Sequence, residues 1–160
     1  MNLYDFAIKM EQDGEKYYLE QAASHKGHAI SRVFTLLAGA EQKHARLLQK
    51  RAEGLNVTAE LSLLTDDRNV FSELEDFKAD VTSIPRQLDI YAHALDLEEK
   101  SVAQYEELLD KMAASEDQEL LRFLIDQEKQ HYELFDTLLT LLRRPEDWVE
   151  DAEFGKREDY

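Results

Sequence analysis

The chain has 160 residues, of which 43% are hydrophobic and 34% are charged, and its formal net charge is −16. With only 5 glycines and 2 prolines, this composition favours long helices over a turn-rich β fold, and the length suits one domain with a sizeable core. The absence of cysteine excludes disulfides, zinc–thiolate sites and iron–sulfur centres within this sequence, and the negative charge argues against nucleic-acid and anionic-membrane partners.

The N-terminal stretch and the hydropathy pattern both bear on localisation. No basic segment followed by an apolar run opens the sequence, so we expect no signal peptide. No apolar stretch approaches the roughly 18 residues that a membrane span requires. We therefore expect a cytoplasmic protein without a membrane partner.

The first half of the chain predicts a helical hairpin. Apolar and small residues recur at helical spacing over about 3–23 and again over about 28–53. Gly54 is suited to the position just beyond the end of the second helix. Residues 54–84 are the least periodic part of the sequence, and we interpret them as a long crossover.

The second half predicts another hairpin. A third helix is expected over about 84–114, with Pro85 in its first turn, and a fourth over about 116–144, ended by Pro145. The tail, 145–160, carries aromatic residues and is expected to pack on the bundle or on a partner.

The long connection between the two hairpins predicts the topology. Antiparallel helices need only a short link, so a crossover of this length indicates that the second and third helices run parallel. Each amphipathic hairpin needs the other to bury its apolar face. The sequence thus predicts a single all-α domain over 1–160, a four-helix bundle built from two duplicated helical hairpins.

Two Glu-x-x-His stretches, one on each hairpin, carry the predicted chemistry. Each follows another inward-facing glutamate by 30 residues, and the three residues of one half recur in the other at a constant offset of 87. The predicted metal-binding set is Glu11, Glu41 and His44 in the first half and Glu98, Glu128 and His131 in the second.

The physical argument for a metal site is electrostatic. Residues three apart on a helix share a face, so each Glu-x-x-His pair points inward together. Burying several glutamates without compensation is costly, and two cations bridged by carboxylates remove that cost. Imidazole combined with carboxylate suits iron or manganese and, less selectively, zinc. Such ligand sets occur in dimetal four-helix bundles.

Two tyrosines lie on the same inward stripes. Tyr18 and Tyr105 each follow an inward glutamate, Glu11 or Glu98, by seven residues. Their hydroxyls are suited to hydrogen-bond the ligand carboxylates, which would make them functional, and the alternative is plain core packing.

The other histidines and one neighbouring glutamate are expected to lie outside the site. His25 and His28 fall in a predicted turn and are expected at the surface. His93 lies off the inward face. Glu99 is displaced by one residue from Glu98 and is expected to face solvent.

The combined pattern resembles the rubrerythrin branch of the ferritin-like superfamily over about residues 3–144. This resemblance implies a ferritin-like bundle that holds two iron ions, with manganese or a mixed pair as alternatives, and that uses hydrogen peroxide or oxygen as oxidant. The motifs that carry it are Glu11-x-x-Gly14-x-x-x-Tyr18, Glu41-x-x-His44, Glu98-x-x-Ser101-x-x-x-Tyr105 and Glu128-x-x-His131, whose glutamates and histidines are the implied iron ligands.

Two departures from the family pattern affect the expected activity. Without cysteine, this sequence holds no rubredoxin-type centre, so a peroxidase active in oxidative stress needs a separate electron-donor protein. Ser101 stands where peroxidase rubrerythrins carry an additional carboxylate. A ferroxidase or iron-handling protein, and a structural bundle with a vestigial site, therefore remain alternatives. A homodimer is expected, in which hairpins could be exchanged through the long crossover.

Overall fold

A computed structural model describes residues 2–28, 30–63 and 88–154, with side chains as far as residue 142 except that of residue 141. The described residues are predominantly helical and contain no strand, which confirms the predicted all-α class. The helices are α1 (Asp5–Ser24), α2 (Ile30–Ala52), α3 (Thr58–Leu63), α4 (Leu88–Lys111) and α5 (Ser115–Phe154).

Local sequence sets several of the helix ends. Before α1, the Asn2 side chain accepts a hydrogen bond from the Tyr4 amide at 2.8 Å, and the Asn2 amide donates to Asp5 at 3.1 Å. These bonds satisfy polar groups near the helix start that would otherwise lack partners. Beyond α2, Gly54 has a φ of 87°, which a residue without a Cβ adopts at little cost.

The first two long helices form an antiparallel hairpin. The Ser31 hydroxyl donates to the carbonyl of Ala22 at 2.7 Å near the turn. At the open end, the Asn2 side-chain amide lies 3.4 Å from the carbonyl of Ala52. In the second hairpin, α4 and α5 are joined by residues 112–114, and the Gln118 side chain donates to the Met112 carbonyl at 2.9 Å.

Contacts between the hairpins show the direction of α4. The Tyr17 hydroxyl donates to the carbonyl of Ile90 at 3.3 Å, whereas Tyr105, near the other end of α4, reaches Glu11. Helix α4 therefore runs antiparallel to α1. Because α2 is also antiparallel to α1, α2 and α4 run parallel, as the long crossover predicted.

The core consists of two apolar clusters with a polar layer between them. One cluster includes Phe34 and Leu37 from the first part of α2, and the other includes Leu47 and Leu48 from its later part. On α5 the order is reversed, since that helix runs the other way: residues 120–124 join the second cluster and residues 134–139 the first. The Glu-x-x-His residues lie between the two clusters.

The fourth long helix does not end at Pro145, although the sequence predicted that it would. Helix α5 continues through Pro145 to Phe154. A proline inside a helix loses one hydrogen bond and crowds the carbonyl four residues earlier, at a cost of about 3 kcal/mol, but its fixed φ is itself helical. The predicted start of the third helix and most of the crossover fall in 64–87, outside the described residues, while α3 lies at the beginning of the crossover.

Candidate metal centre

The structure brings all six predicted ligands together in the middle of the bundle. Helices α2 and α5 each contribute a glutamate and a histidine one turn apart, and α1 and α4 each contribute a glutamate. The exposed fractions are 1% for Glu11, 3% for Glu41, 2% for His44, 2% for Glu98, and 0% for Glu128 and His131.

The six residues form two overlapping groups of four. In each group, one ligand atom per residue lies within 4.8 Å of the others. Glu41 and Glu128 belong to both groups, whereas each remaining glutamate and histidine belongs to one. The first group is Glu11, Glu41, His44 and Glu128, and the second is Glu41, Glu98, Glu128 and His131.

Both histidines contact carboxylates from other helices. The Nδ1 atom of His44 lies 2.9 Å from Glu128 Oε1 and 3.5 Å from Glu11 Oε2. The Nδ1 atom of His131 lies 3.4 Å from Glu98 Oε1. The two imidazole rings are nearly parallel, with their centroids 6.1 Å apart. His44 thus presents a nitrogen to carboxylates of both hairpins.

Two buried tyrosines hydrogen-bond the glutamates crosswise. The Tyr18 hydroxyl on α1 donates to Glu98 on α4, and the Tyr105 hydroxyl on α4 donates to Glu11 on α1. Seven residues along a helix correspond to about 10 Å, too far for a tyrosine to reach the glutamate of its own motif. The antiparallel pairing of α1 and α4 explains why each tyrosine meets the glutamate of the opposite half.

Burial and mutual repulsion disturb the ionisation of the carboxylates. Burial raises the pKa of Glu41 well above its usual range, and the neighbouring glutamates raise it further. Burial and the charge of Glu128 do the same to the pKa of Glu98. The pKa of Glu128 is well below its usual range because its close contacts with Glu98 and the two histidines outweigh the effect of burial. In the metal-free state the cluster therefore shares protons among its carboxylates.

The histidine of α2 responds to the same negative charge. Burial alone would lower the pKa of His44, but the charge of Glu11 and the hydrogen bond to Glu128 raise it to about 10. Without a cation, this imidazole remains protonated at neutral pH and offsets part of the carboxylate charge. A metal ion that binds here must displace that proton.

Three buried carboxylate oxygens that lack a hydrogen-bond partner bear on whether the residues fit a metal pair. Oε2 of Glu11, Glu98 and Glu128 is buried and accepts no hydrogen bond from the part of the chain that the structure describes. A buried oxygen of this kind is costly unless something replaces its lost hydration. Two cations would do so at once, and the mixed carboxylate–imidazole donors suit iron or manganese. The residues therefore fit a dimetal centre.

A cleft between α1 and α4 leads to the cluster. Its volume is about 640 Å³. Glu41 and Glu98 contribute to its lining, together with Gly14, Tyr18 and Ser101. A Cβ added at Gly14 would lie 3.3 Å from an oxygen of Glu41, so the glycine keeps this approach open. The sequence did not predict this cleft.

The remaining histidines lie outside both groups. The prediction for His25 is wrong, because it is buried against Phe34, and its Nδ1 lies 2.7 Å from the carbonyl of Gln21. His28 is exposed, as expected. His93 is also exposed, and its ring centroid lies 4.9 Å from that of Tyr17.

The comparison with protein families agrees with this geometry. The Rubrerythrin family model matches residues 2–139. The chain therefore belongs to the rubrerythrin family. The match includes both hairpins and all six residues of the centre. Searches of curated proteins and of solved structures returned no match.

Membership of the rubrerythrin family implies iron binding, and the buried carboxylate–imidazole cluster suits a diiron site. Among the residues that the structure describes, no helix of this rubrerythrin-family chain combines the length and apolar character needed to cross a bilayer.

Proposed function

We propose that this rubrerythrin-family chain reduces hydrogen peroxide or oxygen at a pair of iron ions, using electrons from a separate donor protein. The observation that carries the proposal is that two four-residue donor groups share Glu41 and Glu128. Sharing two carboxylates is what a bridged metal pair requires, whereas two independent ions would need separate ligands.

Each half of the chain contributes to both proposed iron positions. Glu11 and His44 would serve one ion, and Glu98 and His131 the other. The two shared glutamates would bridge them. When bound, the iron pair supplies the electrons for cleavage of an oxygen–oxygen bond, which protein side chains alone do not provide.

The tyrosines would position Glu11 and Glu98, the two glutamates that each belong to only one donor group. Burial and the charge of Glu98 raise the pKa of Tyr18 well above its usual range, and burial and the charge of Glu11 do the same for Tyr105. Both hydroxyls therefore keep their protons at neutral pH and remain hydrogen-bond donors. A donor fixed in this way restricts the orientation of its glutamate.

Ferroxidase activity is the second candidate. Position 101 is a serine and therefore adds no carboxylate to the donor set. Its hydroxyl donates to the Leu97 carbonyl of its own helix at 3.0 Å. The remaining set is symmetric between the two halves, and the net charge of −16 attracts cations to the surface. These features favour iron oxidation coupled to iron handling.

Anaerobic loading with Fe(II), followed by addition of hydrogen peroxide, separates the candidates. For the peroxidase we expect repeated cycles of peroxide consumption when a reductant is supplied, with the iron retained. A ferroxidase would oxidise added Fe(II) and release Fe(III). A vestigial site would bind no iron either before or after the addition of hydrogen peroxide.

The matched variants are Glu128→Ala and Glu133→Ala. Glu133 is an exposed glutamate on the same helix and lies outside both donor groups. We expect Glu128→Ala to lose both iron ions and peroxide reduction, and Glu133→Ala to behave like the wild type. Equal iron content and turnover in the two variants would refute the assignment.

We further propose that the chain works in the cytoplasm as a homodimer. A single chain already brings both donor groups together, so an exchange of hairpins is not needed to complete the site. Mixing unfolded Glu41→Ala and Glu128→Ala chains and refolding them tests for exchange. Restored iron binding indicates swapped hairpins, because one of the two sites then receives only unaltered residues.

A further inference from the structure

The cleft between α1 and α4 is much larger than hydrogen peroxide or oxygen needs. Its volume is about 640 Å³, whereas a water-sized molecule occupies about 30 Å³ and pockets for organic ligands span roughly 300–1,000 Å³. We propose that the cleft binds the organic part of an organic hydroperoxide, whose oxygen–oxygen bond is then cleaved at the metal centre. This inference rests on the peroxidase activity proposed above.

The outer walls of the cleft are suited to an apolar body. Phe6 and Met10 line it from α1, and Leu97 and Ala103 from α4. Phe6 is 63% exposed, although it is a large aromatic residue on a helix that otherwise packs into the bundle. Covering such a side chain with an apolar ligand removes hydrocarbon surface from water on both partners, which favours binding.

The inner end of the cleft is suited to the peroxide group. Glu41 and Glu98 reach the lining there, and Oε2 of Glu98 is buried without a hydrogen bond from any described residue. Gly14 leaves the passage beside Glu41 free, since a Cβ at that position would come within 3.3 Å of the carboxylate. The apolar body of a ligand would thus contact the outer walls of the cleft while its small polar group reaches the inner end.

The charges at the mouth favour a neutral ligand. The ammonium group of Lys9 lies 3.4 Å from Asp13, and that of Lys100 lies 2.9 Å from Asp96. Both lysines lining the cleft are therefore already paired with a carboxylate on their own helix. A neutral alkyl or aryl hydroperoxide enters without separating these pairs.

The reaction balances with reagents that the proposed function already includes. The oxygen–oxygen bond of the hydroperoxide breaks, and two electrons and two protons are taken up. The products are the corresponding alcohol and water. The external donor protein supplies both electrons and solvent supplies both protons, and the iron pair, when bound, would provide the redox chemistry.

Ala103→Phe tests the cleft without altering the six metal-centre residues. Ala103 is an exposed cleft residue on α4, and Ala92 is an exposed alanine on the same helix outside the lining. In iron-loaded protein supplied with reductant, we expect Ala103→Phe to lower kcat/KM for cumene hydroperoxide by about tenfold or more. We expect kcat/KM for hydrogen peroxide to stay within about twofold. Ala92→Phe should leave both values unchanged.

Binding to metal-free protein gives a readout that does not depend on turnover. Cumyl alcohol, the product of cumene hydroperoxide reduction, is titrated while saturation-transfer NMR is recorded. We expect binding by the wild type and Ala92→Phe, and weakened binding by Ala103→Phe. Circular dichroism and thermal unfolding of each variant verify that the helices are intact.

The outcomes separate this inference from the proposed function. If hydrogen peroxide is reduced but cumene hydroperoxide is not, or if cumyl alcohol does not bind, the substrate proposal is overturned while the peroxidase remains. The same holds if Ala103→Phe lowers the rates with both peroxides equally. If neither peroxide is reduced although cumyl alcohol binds, the peroxidase proposal fails, and with it the inferred reaction.

Discussion

The Tyr18 hydroxyl donates a hydrogen bond to Glu98, a residue 80 positions further along the chain and on the opposite hairpin. The Tyr105 hydroxyl makes the equivalent bond to Glu11. The duplicated halves are therefore interlocked at the centre: each half supplies the hydroxyl that orients a glutamate of the other. This relationship makes a symmetric mutational test available.

Replacing either tyrosine with phenylalanine should weaken metal binding without unfolding the bundle. The ring keeps its apolar packing, but the glutamate loses its hydrogen-bond donor, and loss of such an outer partner costs about 10–100-fold in metal affinity. We expect Tyr18→Phe and Tyr105→Phe to have similar effects in a chelator-competition titration. Tyr17→Phe is the control, since its hydroxyl donates instead to the Ile90 carbonyl. If all three variants bind metal equally, the tyrosines serve only packing.

Two helical glycines should respond differently to alanine. A Cβ at Gly39 meets nothing within 4 Å among the described residues, so Gly39→Ala should raise the free energy of unfolding by about 0.5–1 kcal/mol. At Gly14 the same change crowds the Glu41 carboxylate. Gly14→Ala should therefore gain less stability and bind metal more weakly. Urea unfolding and metal titration measure the two effects, and equal stabilisation with unaltered binding would contradict the predicted crowding.

Metal loading should release protons at neutral pH. The raised pKa values of Glu41 and Glu98, and that of His44 at about 10, mean that the empty cluster holds protons which ligation must displace. Affinity for a divalent cation should accordingly rise with pH and fall on acidification. Calorimetric titration with Zn(II) in two buffers of different ionisation enthalpy measures the number released. A value of zero would show that the residues bind in their protonated state or do not bind.

The end of the bundle contains a structural network whose contribution should depend on pH. Asp117 accepts a hydrogen bond from Tyr4 at 2.5 Å and one from Arg51 at 2.6 Å. Burial raises the pKa of Asp117, but these two hydrogen bonds and the Arg51 charge outweigh it, so the net pKa is lowered. A lowered pKa in the folded state stabilises the protein above the ordinary aspartate pKa, and that stabilisation is lost as pH falls through the lowered value.

Asp117→Asn should therefore destabilise the fold by about 1–3 kcal/mol at pH 7. The difference from wild type should shrink below roughly pH 4, the ordinary range of an aspartate. Urea unfolding at several pH values tests this, with the exposed Asp136→Asn as control. A difference that stays constant as the pH is lowered would show that charge is not its cause.

The sequence predicted the buried cluster because two regularities reinforced each other. Helical periodicity places Glu41 and His44 on one face, and the constant offset to Glu128 and His131 places the second pair in the matching position. The prediction that α2 and α4 run parallel followed from the length of the crossover. None of this required knowledge of side-chain rotamers.

Other features depended on tertiary geometry. Which glutamates are shared depends on how far each helix is rotated about its axis, and one-dimensional spacing does not contain that angle. His25 occupies a turn, as expected, yet packing against Phe34 buries it. At Pro145 the local rule was wrong because proline penalises a helix without forbidding it.

The sharing of Glu41 and Glu128 has a consequence for how the molecule comes apart. Neither hairpin contains a complete donor group, because each group takes three residues from one hairpin and its fourth from the other. Separating the hairpins therefore dismantles both groups together. Bound iron would link the two hairpins, so that they would unfold together. Without iron, no cation links the two hairpins, and the buried charge that the cluster retains opposes their association.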